Sequence, residues 1–313
     1  MSPQDDSNQT DIRGALDEAQ SGAPAGGEAV RDRFSAGEVF QRIVASAEEE
    51  MESRNQELFF SGIAAGFAIT LTVMAYAAVS AAVGNTAPLI KPFLYPLGFI
   101  FIILGHYQLY TEETLPPVTL VLTRLASIPA LLRVWGLVII GNLIGVGIGA
   151  FMLANTGVLS ADAAVVAGEF GLEILRMPWW DVFFKAVFAG WLVGGLVWLD
   201  HAVRTSTARL FLIYLIMYTI PVTGLFHIIT SMTDGLYLFF HGEAALWPVT
   251  REIILPVLFG NTLGGVLPVA ILNYAQTEEH RFPGDMAPED ELSLREWFLG
   301  GFVGRSRVEF ENE

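Results

Sequence analysis

Apolar positions along the chain gather into six regions: Leu58 to Ala82, Leu89 to Val121, Leu131 to Ala154, Val182 to Leu199, Leu210 to Phe240 and Ile253 to Tyr274. An α-helix needs about 20 apolar residues to cross a hydrocarbon core, so the pattern predicts six transmembrane helices. The second and fifth regions are too long for one simple span, and polar residues interrupt them at Gly105 to Thr114 and at Gly224 to Asp234. These two read as broken helices. Non-helical backbone persists at membrane depth only where protein or a water-filled cavity satisfies it, so a pair of breaks predicts a cavity between them. Upstream, Val39, Phe40, Ile43 and Val44 recur at helical spacing within polar surroundings, which predicts an amphipathic helix over Ala36 to Gln56 leading into the membrane. Residues 1–56 thus read as an acidic tail, disordered to about Ser35, 57–276 as the transmembrane domain, and 277–313 as a second acidic tail. Within that second tail, Leu292 to Val308 alternates apolar and charged positions and is expected to lie along the membrane surface.

The two halves of the apolar region match each other. Gly141, Asn142 and Gly145 recur as Gly260, Asn261 and Gly264, at 260 − 141 = 119 residues, and Gly105 and Thr111 fall on Gly224 and Thr230 at the same offset. Phe59, Phe60, Ala65 and Gly66 recur as Phe183, Phe184, Ala189 and Gly190 at 183 − 59 = 124. Three spans per half is odd, so the second copy must enter the membrane from the opposite side. The predicted fold is an all-α membrane protein with an inverted three-plus-three repeat. Such folds place their substrate site near the midplane, between discontinuous helices whose N-terminal ends favour anions.

Composition agrees with a membrane chain, since 53% of residues are hydrophobic and only 16% charged, against roughly 25% charged in soluble domains. The formal charge of -16 is concentrated before Glu57 and after Thr277, and the start of the chain lacks the basic-then-apolar order of a secretory signal. Arg124, Arg133, Arg204 and Arg209 in one set of loops outnumber Lys91, Arg176 and Arg251 in the other, which predicts both termini in the cytoplasm of a cell with the protein in its plasma membrane. Only Lys91 and Lys185 are lysines, and that scarcity with acidic tails suggests adaptation to a high-salt cytoplasm, a halophile's trait. With no cysteine there is no disulfide framework, thiolate metal site or Cys nucleophile. No metal-ligand spacing, phosphate loop or nucleophile elbow is present, so neither an enzyme, a cofactor, a metal nor a nucleic-acid partner is predicted.

Within the breaks, His227 is the sharpest candidate, standing alone among Leu225, Phe226, Ile228 and Ile229. An ionisable group at such depth is costly and therefore functional by default. A neutral imidazole there can exchange a proton with a weak-acid anion or donate to it. Glu112, Glu113 and His106 join it as candidates from the first break, and Thr230 from the second.

The six-span plan, the Gly-x-x-x-Leu-aromatic-Thr sequence at Gly105 to Thr111, the Gly-x-x-His at Gly224 to His227 and the two Gly-Asn-x-x-Gly helices resemble the formate/nitrite transporter family. The resemblance covers Leu58 to Gln276. It implies an aquaporin-like fold, a homopentamer in the lipid bilayer with one pore per protomer, and passage of small monovalent anions such as formate or nitrite. By the same resemblance His227 is the central pore histidine, Thr111 faces it, and Leu109, Tyr110 and Phe226 lie near apolar constrictions. Departures mark a divergent branch: Phe226 and Ser231 stand where the family has Glu and Asn, Gly194 where it has Asn, Arg176 is the nearest base to a vestibule lysine, and Glu112 and Glu113 replace small polar residues. The expected function is a channel in which the anion takes a proton at His227. An aquaporin-like neutral-solute channel and a nonconducting scaffold or sensor are the alternatives, although the Asn-Pro-Ala sequences of aquaporins are missing.

Overall fold

The computed structural model of the chain describes residues 34–276 and 291–300. The expectations for the two acidic tails at 1–33, 277–290 and 301–313 lie outside the described residues. Every regular element among the described residues is helical. In chain order these are α1 (Ala36–Glu52), α2 (Asn55–Val83), α3 (Leu97–Leu104), α4 (Pro116–Leu122), α5 (Ile128–Asn155), α6 (Ala161–Arg176), α7 (Trp179–Ala202), α8 (Ser206–Val222), α9 (Ile228–His241), α10 (Leu246–Ala275) and α11 (Leu294–Leu299). Four of them, α2, α5, α7 and α10, are long and apolar enough to cross a bilayer, and Lys91–Leu104 and α8 are shorter apolar helices. The chain is a multi-pass helical membrane protein.

Helices α2 and α5 form one closely packed pair, α7 and α10 another. Their closeness follows from glycine. A Cβ on Gly66 would stand 2.1 Å from Asn142 O, and one on Gly190 would stand 2.2 Å from Asn261 O. Likewise a Cβ on Gly145 would meet Ile63 O at 2.1 Å, and a Cβ on Gly264 would meet Val187 O at 1.9 Å. In lipid there is little hydrophobic gain from joining two helices, so backbone approach through small residues and interhelical hydrogen bonds supplies the association.

The apolar region 89–121 is not one helix. A 3₁₀ turn at Lys91–Leu94 leads into α3, then irregular chain and a second 3₁₀ turn at Glu112–Thr114 lead into α4. The region 210–240 divides at Thr223 to His227, and Ile228 to Asp234 already belongs to α9, so this interruption is shorter than the sequence pattern implies. The reason is local: past His227 the run Ile228-Ile229-Thr230-Ser231 is polar in part, but Thr230 and Thr233 return their hydroxyls to His227 O (3.0 Å) and Ile229 O (2.9 Å) within the helix.

Hydrogen bonds give the register between the two halves. Tyr107 N donates to Ile102 O as Leu225 N does to Ile220 O, and Leu125 N donates to Leu120 O as Glu243 N does to Leu238 O, all at 225 − 107 = 118. Further on, Asn142 corresponds to Asn261, at 261 − 142 = 119. The added residue is found in α10, where a π-helical turn at Val249–Ile254 inserts one position into the helix. The expected pairing of Gly105 and Thr111 with Gly224 and Thr230 is therefore one residue out of step. His106, with φ 55°, is the residue that matches Gly224, with φ 65°.

Helix α1 begins with a capping box in which Ser35 Oγ accepts from Glu38 N and Glu38 Oε2 accepts from Ser35 N at 2.7 Å. It buries Val39, Phe40, Ile43, Val44, Ala47 and Met51 against α4 and α7. Helix α6 is absent from the sequence expectation. It begins at the Ser160 cap and lays Ala163, Ala167, Gly171 and Ile174 inward, a helical stripe of small residues that the long apolar runs overshadow. Phe170 of α6 stacks on Tyr76 of α2 at 4.3 Å. Near the other end, Leu292 N donates to Arg124 O (3.0 Å) and Trp297 Nε1 to Val121 O (2.8 Å), which ties 291–300 to the turn after α4. Leu294, Phe298 and Leu299 of α11 face outward, and Gly301 to Val308 lie outside the described residues.

Candidate functional site

Two asparagines hold the two breaks across the bundle. Asn142 of α5 donates from Nδ2 to Gly62 O (2.8 Å) and Gln108 O (2.9 Å), and its Oδ1 accepts from Tyr110 N at 3.0 Å. Asn261 of α10 does the same with Ala186 O (2.8 Å), Phe226 O (2.9 Å) and Ile228 N (2.7 Å). Both asparagines are fully buried, so each clamp supplies the partners that an interrupted helix loses where no water can reach. Between the clamped groups lies one residue in each half. In the first it is Leu109, in the second His227.

His227 caps the start of α9 and is 0% exposed. Its Nδ1 accepts from Ile229 N at 3.3 Å, so Nε2 carries the ring hydrogen and donates to Thr111 Oγ1 at 2.8 Å. Phe99 of α3 meets the ring edge to face at 4.9 Å. The Thr111 to His227 bond thus joins one break to the other across 227 − 111 = 116 residues of sequence.

Several of the expected free N–H groups at the starts of the half-helices are occupied or missing. In α9, Ile228 N is taken by Asn261 and Ile229 N by His227 itself. Helix α4 begins with Pro116 and Pro117, which have no N–H. Where the two breaks meet, the contact is between side chains, Thr111 and His227.

Two cavities lie beside the breaks and share no lining residue, and of the Thr111 and His227 pair only His227 lines one of them, the smaller. The larger, about 460 Å³, lies between α1 and the first break and is lined by His106, Gln108, Glu112 and Glu113 together with Glu50 of α1 and Asp200 of α7. The smaller, about 120 Å³, lies on the side of the second break, where Phe226, His227, Thr230 and Asp234 meet Tyr95 and Glu173. The structure so brings His227 and Thr111 together, sets Glu112 and His106 on the larger cavity, and sets Phe226 and Thr230 on the smaller. Leu109 is fully buried and lines neither cavity. Tyr110 is turned away from this region, with its hydroxyl 2.8 Å from Thr262 Oγ1 and its ring edge-on to Trp135.

Sequence reasoning missed several groups. Tyr95 OH is 3.0 Å from Thr230 Oγ1 in the smaller cavity. Asp234 Oδ1 is buried there without a hydrogen-bond partner among the described residues. Lys185 of α7, one of the two lysines, brings its ammonium within 5.3 Å of the Phe226 ring centre, and a Cβ on Gly224 would be 3.4 Å from Nζ. The base beside this cavity is thus Lys185, although the sequence pointed to Arg176. Its position inside an apolar helix, where ammonium groups are expensive, was the available signal.

Buried clamps, two interrupted helices and a buried imidazole on the smaller cavity define a multi-pass helical membrane protein with a polar centre. Residues 37–275 match the family model for the formate/nitrite transporter, and the chain belongs to that family. The inner membrane protein YfdC of Escherichia coli is 27% identical over 76% of this chain and 77% of its own length. The formate channel FocA of Haemophilus influenzae is 23% identical over 71% of this chain and 87% of its own. Among solved structures, an FNT family ion channel superposes with a TM-score of 0.70 at 20% identity, covering 76% of this chain and 98% of that one. A pentameric formate channel with formate bound gives 0.62 at 20% identity, covering 71% and 96%. At that identity these structures speak for the fold.

Proposed function

We propose that the chain is a channel or transporter for small monovalent anions of weak acids, formate and nitrite among them, which cross by way of the Thr111 and His227 pair. The supporting observation is that hydrogen bond, which joins the break that lines the larger cavity to the break that lines the smaller. Phe99 and Leu109 surround the pair with apolar surface, which raises the cost of a bare charge. An anion that accepts a proton there crosses as the neutral acid. Buried carboxyls in both cavities, Glu113 in the larger and Asp234 in the smaller, favour the neutral species further, and Lys185 supplies the opposing charge beside Phe226. No free backbone donor is required.

In this reading the six apolar regions are six spans in two halves of opposite orientation, the interruptions meet at mid-membrane, and the recurring hydrogen bonds at Tyr107 and Leu225 reflect the repeat. Both tails, 1–56 and 277–313, lie in the cytoplasm and the protein sits in the plasma membrane. A homopentamer is proposed from the pentameric formate channel of similar fold. Proteoliposomes tested against a panel of monovalent weak acids across pH are expected to take up formate or nitrite, faster as the pH falls, with water permeability near that of empty vesicles. Fast water flux without acid uptake would favour a neutral-solute channel.

A further inference from the structure

We propose that Glu113, together with Glu50, is a proton-binding selectivity site of the larger cavity, whose charge decides whether an anion enters. The proposal rests on the anion-transport reading above. Glu113 belongs to the 3₁₀ turn of the first break and is 2% exposed. Its Oε2 and the Oε2 of Glu50 are buried with no donor supplied to them by any other described residue. Both carboxyl groups line the larger cavity. A buried carboxylate with no donor is costly, so the site favours protonated carboxyl groups, each of which carries an O–H.

No described side chain donates a hydrogen bond to either buried Oε2. Arg209 of α8 is bound to Asp200 of α7 at 2.5 Å, so those charges cancel each other. Arg42 of α1 also lines the cavity, keeps its charge and lies over the Phe34 ring at 4.4 Å. The other titratable groups on the cavity are Glu49 of α1, His201 of α7, and His106 and Glu112 of the break. None of them adds a fixed positive charge. Burial pushes the Glu50 carboxyl up to about 7, and the neighbouring Glu49 adds to that rise. Below that pH Glu50 is protonated and presents its hydroxyl hydrogen to an arriving anion. Above it a proton leaves to water, and the remaining negative charge in a confined space repels the next anion.

The test combines two readouts on full-length protein in liposomes. An infrared pH titration is expected to show a protonated-carboxyl stretch that weakens as pH rises through about 7 and is diminished in E113Q. Formate uptake by the wild type, expressed per neutral acid in solution, is expected to fall about tenfold from pH 6 to pH 8, consistent with one added charge near the path. In E113Q and in E50Q that fall should flatten to within about twofold. Two separate variants guard against one failing to fold. No titrating stretch, or a wild-type slope retained in both variants, overturns the proposal. A titrating stretch with no uptake of any acid by the wild type supports the proton-binding carboxyls and overturns the transport reading.

Discussion

Asn261→Ala is expected to lower the stability of the bundle by about 3 kcal/mol, one of the largest losses available to a single substitution in this chain. The side chain makes three hydrogen bonds, to Ala186 O, Phe226 O and from Ile228 N, and no solvent reaches it. Ala186 O lies within α7 and keeps its helical partner, but Phe226 O and Ile228 N belong to the interruption, where a lost partner is not replaced. Each orphaned buried group costs about 1–3 kcal/mol. Asn142→Ala should behave alike through Gln108 O and Tyr110 N. Thermal unfolding in detergent checks this, with Asn155→Ala as the comparison, since that amide bonds Phe151 O at an exposed position. Equal midpoints for all three variants would show that the clamps do not hold the interruptions.

His227→Ala carries the largest expected change in function. The imidazole links Thr111 Oγ1 to the start of α9, fills the space beside Phe99 and supplies the ring hydrogen at the meeting of the two breaks. Without it an anion has no donor at that point. A hydrogen bond to a charged group is worth about 1.5–3 kcal/mol, so acid uptake should fall about 10- to 100-fold. The remaining uptake should also respond differently to pH. Initial rates of formate uptake from pH 5 to pH 8 measure both, and a rate and profile equal to the wild type would remove His227 from the pathway.

Much of this was legible in the residues because lipid imposes a simple rule: apolar length marks a crossing and polar interruption marks a place that needs help. Gly141, Asn142 and Gly145 could be matched to their later counterparts because close helix approach admits few residue types. The register of the interruptions was not legible. Glycine at 105 and 224 suggested a match at 119, but the left-handed residue of the first half is His106, and a π-turn in α10 absorbs the difference. A side chain in the left-handed region leaves no mark in composition. The side-chain directions of the site divided in the same way. His227 and Thr111 meet, whereas Tyr110 follows its clamped backbone away toward Thr262. That Glu50 shares a cavity with Glu113 depends on α1 folding back against α4 and α7, a tertiary contact that no periodicity within α1 specifies.

The absence of cysteine makes one measurement direct. Single substitutions Gln108→Cys, on the larger cavity, and Ser231→Cys, on the smaller, are labelled in sealed vesicles of known orientation with a membrane-impermeant thiol reagent. If two opposed cavities meet at Thr111 and His227, Gln108→Cys reacts from the cytoplasmic face and Ser231→Cys from the other. Labelling of both positions from a single face would contradict that arrangement.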